Sequence, residues 1–346
     1  MFIIAALAVA PIHARAVRQQ PGEPQKDFAA LLTQAKLQAD LGNHQQAADA
    51  FSYIVRDLTA PATIRNEAMV RLGLALNATG NIGASTKVFK DAATSSSADP
   101  RIFRFLIYAV ARTVPGKIWP TFRAPFEELL KTAEVVTVEE LGRQIAPPKR
   151  VYLKKEEIGL KTIWKPFPPA GAGARENYRA DIAAYELDKM LGMDMVPPTV
   201  ERIIEGRPGT IHLWINGCRL YKDLQRNIPT TSDWNHQVTR MNLFDALIGN
   251  TGRDAGHNLL VDPNWDIVLV DHLLAFSNET DLRNPPDQFD RRLVTKLRAL
   301  REDDLETRLK GILSGEDIRN ILIRRDALLA HLSKLIAEKG ESAVLF

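Results

Sequence analysis

The segment NLFDALIGNTGRDAGHNLLVDPNWDIVLVDHLLAF, residues 242–276, collects Asp, Arg, His and Asn in one loop between a helical pattern and an apolar strand, and a second Asp closes that strand. The helix runs from Trp234 to Ile248. NLLVDPNWDIVLVD then reads as a hairpin whose turn is Asp262-Pro263-Asn264.

Upstream of this segment, Pro147-Pro148 followed by Val151, Tyr152 and Leu153 opens a strand, and KTIWKPF makes a second after the KKEEIG turn. PPAGAGARENY is a loop. In YRADIAAYELDKMLG, apolar residues at Ile182, Tyr185, Leu187, Met190 and Leu191 have helical spacing that ends at Gly192. MVPPTVERIIEGRPGTIHLWI gives two strands around a turn, so the order is strand, strand, helix, strand, strand. Downstream, Phe289 to Lys339 forms amphipathic helices, one of them opened by a capping box from Ser314 to Asp317.

Near the N-terminus the pattern is helical from Phe28 to about Ala93. Gly42, Ala47 and Phe51 recur as Gly80, Ser85 and Phe89. This spacing resembles a tetratricopeptide pair, in which small residues let antiparallel helices approach and an aromatic plugs the next hairpin. A plain helical hairpin bundle is the alternative. Helical patterning resumes after TSSSADPRIF and continues to about Ala133.

A strand-rich part with one helix, followed by a helical part with a polar loop and hairpin, suits phosphoryl transfer. That chemistry needs a cation on a strand, a carboxylate on a helix to hold it, and metal ligands at the cleft floor. In this order, LGRQIAPPKRVYL, IWKPF, YRADIAAYELDKMLGMDMVPPTV, GTIHLWI, FDALIGNTGRDAGHN and VLVDHLLAF resemble the kinase-like superfamily. That superfamily includes the HipA-type serine kinases and the phosphatidylinositol 3/4-kinase-like bacterial proteins, and is related to secretory-pathway kinases.

Together with the N-terminal helical repeat-like module, the resemblance implies an α+β fold in which that module is followed by a bilobal protein-kinase-like fold with a helical C-terminal tail. It makes Lys165 the phosphate-gripping strand lysine. Asp181 stands where the family has Glu and, one methylene shorter, implies a longer or water-bridged ion pair. Leu213, Trp214 and Ile215 match the strand and hinge whose backbone binds the base, with the Trp214 ring assigned to packing. Asn258 and Asp271 match the metal ligands, and hard oxygen donors suit Mg2+.

The position of the family's catalytic Asp is Gly252. Asp254 follows two residues later, four before Asn258 where the family has five. Two readings result. In one, a re-spaced loop uses Asp254 as base or orienter, with Arg253 and His257 near the phosphates. In the other the base is lost. His257 is read as a structural hydrogen-bond partner, His272 as a brace of the loop and Asp245 as a solvated or capping carboxylate.

The chain has 346 residues, 45% apolar and 25% charged, an ordinary globular composition. Its net charge of +3 is spread along the sequence, which gives no case for nucleic acid. Cys218 is the single cysteine, which excludes an internal disulfide and a cysteine-based metal cluster. Phe2 to Ala10 is apolar, and Ala14-Arg15-Ala16 precedes Val17, a signal-peptide pattern without a basic start. No other run reaches the roughly 20 apolar residues that span a bilayer.

The expected organisation is a signal peptide at 1–16, a linker at 17–26, a helical module at 27–135, and kinase-like lobes at 136–218 and 219–346. The expected activity is transfer of the ATP γ-phosphate to a hydroxyl, on a protein, with Mg2+, in a secreted or periplasmic chain; a cytoplasmic location is the alternative. A degenerate kinase fold that binds a protein partner through its helices, and a lipid or small-molecule kinase, are the rival functions.

Overall fold

The computed structural model describes residues 26–346 apart from 96–98, 121, 143–146, 156, 168–178, 225–226 and 254–255. The signal-peptide expectation, the linker expectation apart from Lys26, the glycine-rich loop and Asp254 fall outside the described residues.

Four helices come first: α1 (Phe28–Asp40), α2 (His44–Arg56), α3 (Ala62–Ala78) and α4 (Ile82–Ser95). Gly42 and Gly80 both take left-handed φ, +81° and +82°, in the turns that precede α2 and α4. Ala47 and Ser85 are buried at matching places, as are Phe51 and Phe89. Gly73 is required by packing, since a Cβ there would sit 2.5 Å from the Phe89 ring.

Two further helices, α5 (Pro100–Thr113) and α6 (Arg123–Thr132), lead into a five-stranded antiparallel sheet ordered β1-β2-β3-β5-β4. Its strands are β1 (Glu134–Glu140), β2 (Lys149–Lys155), β3 (Ile158–Pro166), β4 (Thr199–Ile204) and β5 (Arg207–Leu213), with α7 (Ala180–Leu191) between β3 and β4. β1 takes in VVTVEE, just after the helical pattern that ends near Ala133. It is an edge strand paired to β2 alone and carries little burial, so its apolar signal is weak.

Side chains alternate across the sheet. Leu160, Thr162 and Trp164 of β3 face one way, and the partners of the last two in register, Leu213 and Ile211, face with them. This face packs against α5 and α6 in one core that includes Phe105, Leu106, Tyr108, Trp119, Phe126 and Leu129. The boundary read at 135/136 therefore falls inside a continuous hydrophobic core, because the sheet needs α5 and α6 to cover its apolar face. Lys161, Ile163 and Lys165 lie on the other face, where Lys165 pairs with Thr210.

The remainder is a second core. α8 (Ser232–Ile248) packs beside a small sheet of β6 (Arg219–Leu220), β7 (Leu259–Val261) and β8 (Ile267–Leu269), followed by α9 (Arg291–Ala299), α10 (Glu302–Leu309), α11 (Gly315–Lys339) and α12 (Glu341–Val344). The Ser314 and Asp317 side chains exchange hydrogen bonds with each other's backbone at the start of α11.

Candidate functional site

Three elements from distant parts of the chain meet at Lys165. β3 delivers the lysine near its end, α7 delivers Asp181 in its first turn, and Asp271 follows β8. Lys165 Nζ donates to Asp181 Oδ2 at 2.8 Å and to Asp271 Oδ1 at 2.9 Å. The pair with Asp181 is direct, which corrects the longer or bridged contact expected for a shorter carboxylate. Ala180, Ala183 and Ala184 are fully buried in the core that α7 shares with α8 and the C-terminal helices, and the seat of α7 there puts the shorter carboxylate within direct reach of Lys165. Glu186 turns away to Lys189 and Arg308.

The rest of the Asp181 carboxylate is also engaged. Its Oδ1 accepts the His272 backbone N–H at 2.7 Å and lies 3.3 Å from His272 Nδ1. Burial alone would raise the Asp181 pKa, but Lys165 and the His272 donor hold it well below the ordinary carboxylate value. Burial likewise opposes the charge of Lys165, and the two carboxylates reverse this and raise its pKa. Across the sheet, burial and then the Lys165 charge lower the His212 pKa to about 4, so the ring is neutral at pH 7.

Asp271 sits at φ +59°, a left-handed conformation uncommon for a residue with a side chain, which aims its carboxylate back at Lys165. Its side chain is 37% exposed, against 5% for Asp181. Asn258 is its neighbour through the hairpin: Leu259 pairs with Leu269, and Val270 N–H donates to Asn258 O at 3.3 Å. Asn258 Nδ2 donates to Gly252 O at 3.0 Å, which commits the amide nitrogen to the loop. An amide oxygen and a carboxylate oxygen at one end of a hairpin form a hard donor set fit for Mg2+, which is commonly held by one or two protein oxygens plus phosphate. Among the described residues there is no cluster of three His, Cys, Asp or Glu able to hold a metal by themselves.

The loop between α8 and β7 is braced from within. Arg253 donates from Nε and Nη2 to Asp245 at 3.0 and 3.2 Å, and from Nη1 to the carbonyls of Asn258 and Val270. Asn250 Nδ2 also donates to Asp245 at 2.8 Å. Arg253, expected beside the phosphates, is thus a strut of the loop, and Asp245, read as solvated or capping, is its buried partner. The Asp-x7-Arg spacing from helix to loop was the available signal. His257 is exposed.

Gly252 does not have left-handed φ, and a Cβ there would meet Asn250 Oδ1 at 3.4 Å, Asn258 Nδ2 at 3.5 Å and Leu274 Cβ at 3.6 Å. These are ordinary contacts, so the backbone accepts a side chain at the position where the family carries Asp.

Leu213, Trp214 and Ile215 line a cavity of about 370 Å3 together with Tyr152, Lys161 and Arg112. The Leu213 and Trp214 amides donate to Pro198 O and Lys161 O, and the Arg150 guanidinium lies 5.2 Å from the centre of the Trp214 ring. Thr210 Oγ1, beside Lys165 in register, and His272 Nε2 are buried polar atoms without a protein partner among the described residues.

In fold, the chain is similar to solved kinase structures. The Golgi casein kinase matches over 64% of this chain and 78% of its own, at TM-score 0.50 and 14% identity. Hydra Fam20, solved with a sugar, matches over 63% of this chain and 90% of its own, again at TM-score 0.50 and 14% identity. No protein-family model matches the chain, and neither does any curated protein. The likeness is therefore one of fold.

Proposed function

We propose that the chain is a phosphotransferase that binds ATP with a divalent cation, Mg2+ by its donor set, and transfers the γ-phosphoryl group to a hydroxyl, on a protein in the first instance. The observation that carries this reading is Lys165 held between a buried carboxylate on α7 and a half-exposed one after β8. A lysine so placed can give up its bond to Asp271 for a phosphate oxygen while Asp181 still orients it. Asp271 and Asn258 would hold the cation, which supplies charge neutralisation on the phosphate oxygens. Of the stretch 213–215, the Ile215 backbone would receive the base, since the Leu213 and Trp214 amides already donate to Pro198 O and Lys161 O.

In the reaction the bond between the γ-phosphorus and the ADP oxygen breaks and a bond to the acceptor oxygen forms, while the hydroxyl proton leaves to a base. Asp254 is the candidate to orient that hydroxyl, since it follows the braced Arg253 in the same loop. The two-lobed arrangement, the HipA-type and phosphatidylinositol-kinase-like kinships, the tetratricopeptide character of α1–α4 and a secreted location belong to the same proposal. The apolar N-terminal segment and the Golgi name of a neighbour support the last. Among the described residues no helix is long and apolar enough to cross a membrane.

One observation favours a second reading, a binding protein with a kinase-like fold: Gly252 leaves the usual base position empty although the backbone would accept a side chain. Calorimetric titration with ATP, with and without Mg2+, on the intact chain and on Asp271→Ala separates the two from a chain without a nucleotide site. Metal-dependent binding lost in the variant supports the nucleotide site. Labelled ATP with casein, the acceptor in a neighbour's name, then reads phosphoryl transfer. Absence of binding under every condition refutes the phosphotransferase.

A further inference from the structure

The helix that carries Asp181 is gripped from its far end by α6. Arg123 Nη2 donates to Asp188 Oδ2 at 2.8 Å and to Asp194 Oδ1 at 2.5 Å, and its guanidinium lies 5.2 Å from the Tyr185 ring centre. Glu127 Oε1 accepts Tyr185 Oη at 2.7 Å and Lys189 Nζ at 2.8 Å. The Asp188 side chain is fully buried, and its other oxygen accepts the Met195 and Val196 amides. α6 is anchored in turn, because Arg202 of β4 donates to the carbonyls of Leu130 and Ala133 at its C-terminal end.

Asp181, Tyr185 and Asp188 are spaced i, i+4 and i+7, which places them along one stripe of α7. A roll of α7 that lifts Asp181 from Lys165 therefore also breaks Tyr185 from Glu127 and Asp188 from Arg123. The chain leading into α6 is stapled as well: Asn216 Nδ2 donates to Ala111 O and Arg112 O, Gly116 N–H donates to Asn216 O, and Lys117 N–H donates to Asp262. Residues 111–133 thus touch the stretch after β5, the turn between β7 and β8, and α7.

We propose that α6 is a built-in lock on α7, with Arg123 and Glu127 as positioning residues that keep Asp181 seated on Lys165, so that the Lys165 site is completed by the helical part of the same chain. This deepens the phosphotransferase reading by naming how its site is held in order, and it rests on that reading for its catalytic meaning. The lock itself is a statement about geometry and is tested without nucleotide.

The experiment compares the full chain with Arg123→Met, Arg123→Lys and Glu127→Ala by two readouts. Hydrogen exchange of the amides at 180–191 should speed up by about tenfold or more in Arg123→Met, with less change in α8 and α11. The pH profile of Lys165 acylation, read by mass spectrometry, should move to lower pH in Arg123→Met as Asp181 leaves the amine, and return toward the intact profile in Arg123→Lys. Glu127→Ala should move both readouts in the same direction, and it serves as the test if Arg123→Met does not fold. Unchanged exchange at 180–191 with an unchanged Lys165 profile overturns the proposal, as does acceleration spread evenly over the chain. A failure of ATP to bind refutes the phosphotransferase reading and leaves these two readouts as they stand.

Discussion

Replacing Lys165 with Met removes the only strong cation that, among the described residues, meets a carboxylate that is almost fully enclosed. Asp181 has a side-chain exposure of 5%, and its remaining partner among the described residues is the His272 donor. Breaking a buried pair by deleting one member typically costs about 3–5 kcal/mol, because the surviving charge stays desolvated. Asp271 is left out of this figure: at 37% exposure it can recover its hydration. For a chain of this size the loss corresponds to a fall in Tm of roughly 6–10 °C, at about 2 °C per kcal/mol.

The pH dependence has a definite sign. In the intact protein Asp181 is held below its unfolded pKa, so its stabilisation is present above that value and fades as pH falls through the depressed one. In Lys165→Met burial dominates and raises the Asp181 pKa, so the variant loses stability as pH climbs through the raised value. The gap in Tm between the two proteins should therefore be widest near pH 7 and narrow toward pH 4. Adding Asp181→Leu should restore most of the loss, since an apolar replacement of a buried pair is often neutral. Thermal unfolding of the three proteins from pH 4 to 8 is the assay. A Lys165→Met chain within about 1 kcal/mol of the intact one at pH 7, or a gap that does not change with pH, refutes the reasoning.

Three other outcomes follow from the same geometry. Gly252→Asp, which the backbone accommodates, should raise phosphoryl transfer to casein by about a hundredfold or more if a missing base limits the rate; an unchanged rate would assign the proton to Asp254 or another group. Arg253→Met should cost about 3 kcal/mol or more in denaturant unfolding, by stranding Asp245, and the loss should shrink in Arg253→Met/Asp245→Leu; an equal loss in both rules the pair out as its source. Because His212 falls to about 4, below its unfolded value, its contribution is present above about pH 6.5 and lost as pH falls toward 4, by about 3 kcal/mol. His212→Gln should flatten that part of the acid unfolding curve, and a curve of unchanged slope would place the acid sensitivity elsewhere.

Much of the site is legible in one dimension because its parts are local. Lys165, Asp181, Asn258 and Asp271 stand out only through the resemblance of IWKPF, YRADIAAYELDKMLG, GRDAGHN and VLVDHLLAF to kinase-like motifs, whereas the hairpin between the last two is written locally in its turn, Asp262-Pro263-Asn264. Their order along the chain specifies a kinase-like arrangement even though each motif is weak. What pattern could not supply was the role of groups whose partners lie far off. Arg253 looks like a phosphate ligand until Asp245 is seen to fill its fork, and α6 looks like the last helix of a separate module until its side chains are found on α7.

The sequence by itself determined most element types and their order, the edge strand β1 excepted, and the identity of the charged residues, since periodicity and turn chemistry act over a few residues. Only the tertiary structure decided that Asp181 reaches Lys165 directly, that helices α5 and α6 share a core with the sheet, and that Arg123 meets Asp188. These depend on how closely buried faces approach, and a separation of 65 residues along the chain leaves no local trace of that contact.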